Sequence, residues 1–109
     1  MKVYLISTSD DKGKRYKIGH TRREVEDRIR EFKTGNSYEF EIIDVFESKW
    51  GTKIESKLHR KHKIKQIGGE WFKLDDEDIK SFNDDCRMFH NVFELLLTEN
   101  TYIIDRGGI

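Results

Sequence analysis

Seven basic side chains, Lys49, Lys53, Lys57, Arg60, Lys61, Lys63 and Lys65, crowd residues 49–65 around a single acid, Glu55. A lone carboxylate among so many cations can hold a divalent ion against a phosphate that the cations attract. On a helix, at about 100° per residue, Glu55, His59 and His62 fall within roughly 60° of one another. They lie beside the apolar stripe Trp50, Ile54 and Leu58. The same Glu-x3-His-x2-His spacing can place three zinc ligands on one helix face. The plainer alternative is a Glu55–His59 or Glu55–Lys helix pair worth roughly a few tenths of a kcal/mol.

Other positions offer phosphate chemistry. Arg28 lies next to the stripe Val25, Ile29 and Phe32, where a guanidinium can clamp a phosphate through two parallel hydrogen bonds. It can equally snorkel and pair with Glu24 or Glu31. Tyr4 and Tyr16 stand on two apolar runs that read as paired strands, so their hydroxyls could converge. A strand tyrosine is also ordinary core material.

The elements that must position these groups are legible from periodicity. Val3, Tyr4, Leu5 and Ile6 predict a buried strand over 2–7, and Ser9–Gly13 supplies turn chemistry before a second strand over 15–19, so the pair reads as a hairpin. Thr21-Arg22-Arg23-Glu24 has the capping-box pattern, which opens a helix at Thr21 that Gly35-Asn36 stops. Phe40, Ile42, Ile43, Val45 and Phe46 predict a third strand. The Trp50 stripe predicts a second helix to about Lys65, ended by Gly68-Gly69, and Trp71–Leu74 reads as a short strand. Asp75–Asp78 places negative charge at the start of a third helix. Its stripe is Ile79, Phe82, Cys86, Phe89, Phe93 and Leu96, which faces the domain or a partner. Thr101–Asp105 reads as an edge strand.

With 109 residues the chain fits one domain. Its mean hydropathy of −0.83 is polar, but 12% aromatic residues argue for a packed core. The net charge of zero hides a split: residues 1–74 hold 18 Lys/Arg against 12 Asp/Glu, and residues 75–109 hold 3 against 9. A basic working surface followed by an acidic segment is the expectation. The longest apolar stretch is Leu95-Leu96-Leu97, which predicts neither a membrane span nor a signal peptide. The lone Cys86 offers no disulfide and suits a reducing cytoplasm.

Four short motifs in order, "YKIGHT" at 16–21, "RIREF" at 28–32, "IESKLH" at 54–59 and "GEWF" at 69–72, with Tyr4 on the first strand, resemble the GIY-YIG endonuclease superfamily. The resemblance is to its compact KIG-type branch, common in phage proteins and in the meiotically-up-regulated-gene domain. It implies an α+β fold, a small central antiparallel sheet flanked by helices, here with an added C-terminal amphipathic helix. It divides the chain into a nuclease core over 1–74 and an acidic helix with a possible edge strand over 75–109, packed on the same domain.

The resemblance also implies a divalent-metal-dependent endonuclease. Glu55 matches the family's ligand for one Mg²⁺ or Mn²⁺, Arg28 the arginine that steadies the transition state, and Tyr4 the tyrosine that orients or deprotonates water. A phenol of ordinary pKa near 10 needs cations for that, and Lys17 and Arg28 are the candidates. Two departures stand out: Lys2-Val3-Tyr4 lacks the first motif's glycine, and Lys17 stands where the second motif has tyrosine. Lys17 then contacts phosphate or water, or cleavage is lost and a module that binds nucleic acid or protein remains. Tyr16, His20, Lys53, Lys57, His59, Arg60 and Lys61 are the candidate nucleic-acid contacts, with DNA ahead of RNA. The expected state is a monomer or weak homodimer in the cytoplasm, the host's if phage-encoded. A protein partner is expected, if anywhere, on the C-terminal helix. Glu70-Trp71-Phe72 reads as structural.

Overall fold

A computed structural model of the chain describes residues 1–11, 13–33 and 39–98. Its elements are β1 (Lys2–Asp10), β2 (Gly13–Thr21), α1 (Val25–Lys33), β3 (Phe40–Glu47), α2 (Gly51–Lys61), a 3-10 turn (Lys63–Lys65), β4 (Gln66–Gly68), β5 (Trp71–Phe72), α3 (Asp76–Phe93) and a π turn (Glu94–Thr98). Every pairing is antiparallel, in the order β3-β1-β2-β5-β4. The fold is α+β, an antiparallel sheet with helices and a C-terminal helix, as expected.

The Val3–Ile6 stretch of β1 is continuously apolar because it is buried on both faces. Val3 and Leu5 join Ile18, Ile54, Leu58, Phe72, Phe82 and Cys86 in a core under α2 and α3. Tyr4 and Ile6 meet Val25 and Ile29 of α1 on the opposite face. Each such aliphatic side chain removed from water contributes about 1.5–3 kcal/mol. β3 serves both cores through a bulge: Leu5 opposes Asp44 while Ile6 opposes Ile42, so Ile43 is the extra residue. Ile43 and Phe46 then pack with the first core, Ile42 and Val45 with the second.

Three boundaries differ from the sequence expectation. α1 begins at Val25, not at Thr21, because Thr21 is still paired to Lys2 at the end of β2. The Thr21 hydroxyl instead accepts from the Arg23 N–H at 3.1 Å. α2 ends at Lys61, short of Lys65, and the chain continues as a 3-10 turn and then as β4, a strand that periodicity does not reveal. Leu96, grouped with the α3 stripe, is 48% exposed, because the α-helical step ends at Phe93 and the π turn carries Leu95 and Leu96 outward. The Gly35-Asn36 stop and the Thr101–Asp105 strand lie outside the described residues.

The acidic start of α3 is a working cap. The Asp75 carboxylate accepts from the Asp78 N–H at 2.9 Å, and Asp78 accepts from the Asp75 N–H at 3.0 Å. That backbone hydrogen bond, with Lys65, holds Asp75 down to about 2. Lys65 also pairs with Asp78, and Lys61 with Asp85, so acids of α3 engage two of the cations on the C-terminal side of Glu55.

Candidate functional site

β5 pairs with β2 only at Tyr16 and Lys17, so β2 presents an open edge beyond them. There the Ile18 N–H donates to the Glu70 carbonyl at 3.2 Å, and the Ile18 carbonyl accepts from His59 Nε2 at 2.8 Å. A carbonyl only accepts, so Nε2–H is the donor. Groups from both sheet faces meet round this edge. Tyr4 and Lys17 share the face covered by α1, since Lys17 opposes Ile6 and Gly19 opposes Tyr4. Glu55 and His59 come from consecutive turns of α2. Glu70 comes from the two-residue turn between β4 and β5, where Gly69 takes φ +56°, a conformation that glycine adopts without strain.

Tyr4 is held across β2. A Cβ at position 19 would stand 2.5 Å from Tyr4 Cζ and closer still to its hydroxyl oxygen, so the glycine of the KIG motif makes room for the phenol. Arg28 reaches the same oxygen from α1 with a side-chain hydrogen bond, while its Nη1 lies 2.5 Å from Glu31 Oε2. The Glu31 pairing read from the sequence is therefore present, and the guanidinium reaches Tyr4 as well. Lys17, only 8% exposed, lies 2.5 Å from Glu70 Oε2 and 5.6 Å from the centre of the Trp71 ring. His20 pairs through Nδ1 with Glu55 Oε2, and His59 Nε2 lies 3.6 Å from Glu55 Oε1.

Burial first, then the negative charge of Glu70, pushes the Tyr4 phenol up to about 12 against the opposing pull of Arg28. Glu70 also engages the Lys17 ammonium. Burial, assisted by the neighbouring Glu70, also raises Glu55 above the usual carboxylate range, against His20. Burial disfavours charge on Glu70 too, but the Lys17 ammonium outweighs it and holds that carboxyl below the usual range.

Ligand atoms of Glu55, His59 and Glu70 lie within 4.8 Å of one another. Two carboxylates and an imidazole are a donor set that fits a divalent cation.

Residues 1–87 match the T5orf172 domain. The chain belongs to this family. The T5orf172 domain is a phage-associated family of nuclease-like, GIY-YIG-like fold, and it supports a nuclease-like or DNA-binding role in broad terms. The matched range takes in every side chain at the β2 edge and runs into α3 as far as Arg87. No curated protein and no solved structure gave a match. Among the described residues no helix is long and apolar enough to cross a membrane.

The T5orf172 chain departs from the sequence expectation at three side chains. Tyr16, grouped with the nucleic-acid contacts, is 8% exposed in the first core, because it opposes Ser7 on the face away from Tyr4. His62 does not join Glu55 and His59 as a zinc ligand. The His62 N–H still donates to the Leu58 carbonyl at 3.0 Å, so His62 follows the buried Leu58 side of α2 and turns inward to Phe72, 6.4 Å between ring centres, with Nδ1 3.7 Å from Asp78 Oδ1. Glu70, read as structural with Trp71 and Phe72, stands at the open edge instead. Its signal is present in the sequence, since it is the sole acid in residues 56–74. Lys53 and Arg60 are exposed and Lys57 half-buried, so the cations of α2 remain at the surface, with Lys61 engaged by Asp85.

Burial holds the His62 imidazole below its ordinary 6.5, against Asp78. With a depressed folded-state pKa the unfolded chain takes up the proton first. The contribution to stability is full above pH about 6.5 and falls as pH drops from there towards the folded pKa. Urea melts between pH 8 and 5 are expected to decline less for His62→Gln than for the natural chain; parallel profiles would remove His62 as the cause.

Proposed function

We propose that the protein is a divalent-metal-dependent endonuclease of GIY-YIG type, in the compact KIG branch, cutting DNA ahead of RNA. The observation that carries it is the convergence of Tyr4, Lys17, Arg28 and Glu55 at one open strand edge, beside a helix rich in surface cations. Glu55 would hold Mg²⁺ or Mn²⁺, which when bound neutralises charge on the scissile phosphate and the leaving oxygen. Arg28 would donate to a phosphate oxygen while its hydrogen bond keeps Tyr4 in register. The Tyr4 oxygen, protonated, orients the attacking water. Lys17, fixed by Glu70 and Trp71, supplies a second positive charge in place of a second phenol. Lys53, Lys57 and Arg60 attract and seat the backbone.

Labelled DNA and RNA incubated with Mn²⁺ or Mg²⁺, with EDTA as control, test the reading. Metal-dependent cutting is expected, along with binding that weakens steeply with salt. Lys53→Ala, Lys57→Ala and Arg60→Ala are each expected to lower the slope of log K against log salt by about one, and Lys61→Ala by less, because Asp85 already engages it. A flat salt dependence removes nucleic acid as the ligand. The second reading, a module that binds without cutting, is favoured by the protonated Tyr4 and by the Lys17–Glu70 pair where the superfamily has a tyrosine. Binding with no cutting under either metal would select it.

A further inference from the structure

We infer that the metal is held by three side chains, Glu55, His59 and Glu70, and that this set selects a transition ion such as Mn²⁺ over Mg²⁺. The inference rests on the reading of Glu55 as a metal ligand and extends it to two residues on other parts of the edge. Donor atoms from all three lie within 4.8 Å of one another, and all three side chains are partly buried. They are held there by independent means. α2 presents Glu55 and His59 one turn apart, His59 is fixed by its Nε2–H bond to the Ile18 carbonyl, and Glu70 is fixed by the bond from Ile18 N–H to its own carbonyl. The Glu55 and Glu70 carboxyls hydrogen-bond each other, an arrangement in which a divalent ion can take the place of the shared proton. Lys17 and His20 each approach one of the two from the side.

Each group retains a donor for an ion. Lys17 lies against one oxygen of Glu70 and His20 against one oxygen of Glu55, and a carboxylate has two. The His59 nitrogen nearest Glu55 is Nε2, 3.6 Å from Oε1, so an ion bound there takes the place of the Nε2–H bond to the Ile18 carbonyl, with the ring proton carried on Nδ1. A nitrogen donor matters for selectivity. Mg²⁺ takes oxygen and water ligands and dehydrates reluctantly, whereas Mn²⁺ and the ions after it accept imidazole. Lys17, on the same Glu70, then stands next to the ion without ligating it.

The test is Mn²⁺ binding by the chelator-treated full chain, read by electron paramagnetic resonance, with Mg²⁺ as competitor and thermal melts in EDTA as a folding control. One Mn²⁺ per chain is expected, bound at least about tenfold more tightly than Mg²⁺. Glu70→Gln and His59→Gln are each expected to weaken Mn²⁺ at least tenfold, and His59→Gln to erase most of the preference over Mg²⁺, which a merely structural histidine would not do. Natural affinity in both variants, or in whichever melts like the natural chain, overturns the inference. So does the absence of any Mn²⁺ binding by the natural chain. Cleavage measured on the same samples separates the two readings: Mn²⁺ lost in the variants with no cutting by the natural chain leaves the three-donor site standing without the nuclease. Cutting with Mn²⁺ affinity untouched in both variants does the reverse.

Discussion

Glu55→Gln is expected to lower metal-dependent cleavage by roughly a thousandfold or more while leaving nucleic-acid binding within about threefold. A metal ion supplies several kcal/mol of transition-state charge stabilisation, and about 4 kcal/mol is a factor of a thousand in rate. Glutamine preserves the volume and a carbonyl oxygen towards His20 but removes the anionic oxygen that an ion requires. Binding is expected to survive because the seating cations Lys53, Lys57 and Arg60 lie elsewhere on the same helix surface. The raised pKa of Glu55 adds a pH signature: a proton competes with the ion, so cleavage falls on the acid side. Equal activity in the variant and the natural chain would sink the role of Glu55. Equal inactivity with binding intact would select the binding module.

The second large effect is expected at Gly19. In Gly19→Ala the new methyl group would meet the Tyr4 ring at 2.5 Å, and Tyr4, 1% exposed, is packed among Ile6, Val25 and Ile29, so the ring has no room to retreat. Overpacking of this kind costs about 1–3 kcal/mol. At roughly 4–8 °C per kcal/mol for a domain near this size, the melting temperature should drop measurably. Cleavage should fall further than stability accounts for, because the displaced oxygen is the one that Arg28 holds. The double variant Gly19→Ala/Tyr4→Phe separates the two effects: it is expected to recover part of the stability, by removing the closest atom, and none of the activity. An unchanged melting temperature in Gly19→Ala would refute the close packing of Tyr4 on β2.

The strands and helices were legible where burial imposes a period. β1 was readable as a buried strand from Val3–Ile6, and α3 from its regular apolar steps, because one-sided or two-sided burial writes itself into residue spacing. Capping was legible where the acid run met the helix start, at Asp75–Asp78, and misleading at Thr21, where pairing with Lys2 in the sheet outweighed a local capping pattern. Spacing also misled at His62 and Leu96, both beyond the end of an α-helix whose last turn depends on its packing partners.

The sequence by itself determined the α+β class, the basic helix and the identity of Tyr4, Lys17, Arg28 and Glu55 as residues in a meaningful order. These come from local periodicity, charge and motif order, which need no knowledge of long-range contacts. Only the tertiary structure decided that β5 stops short along β2. That leaves the Ile18 carbonyl to His59, swings Glu70 from a glycine turn onto Lys17, and gathers Glu55, His59 and Glu70 around the edge. It also raised the Tyr4 phenol above its ordinary range, because burial and the approach of two carboxylates from other elements are properties of packing and not of spacing along the chain.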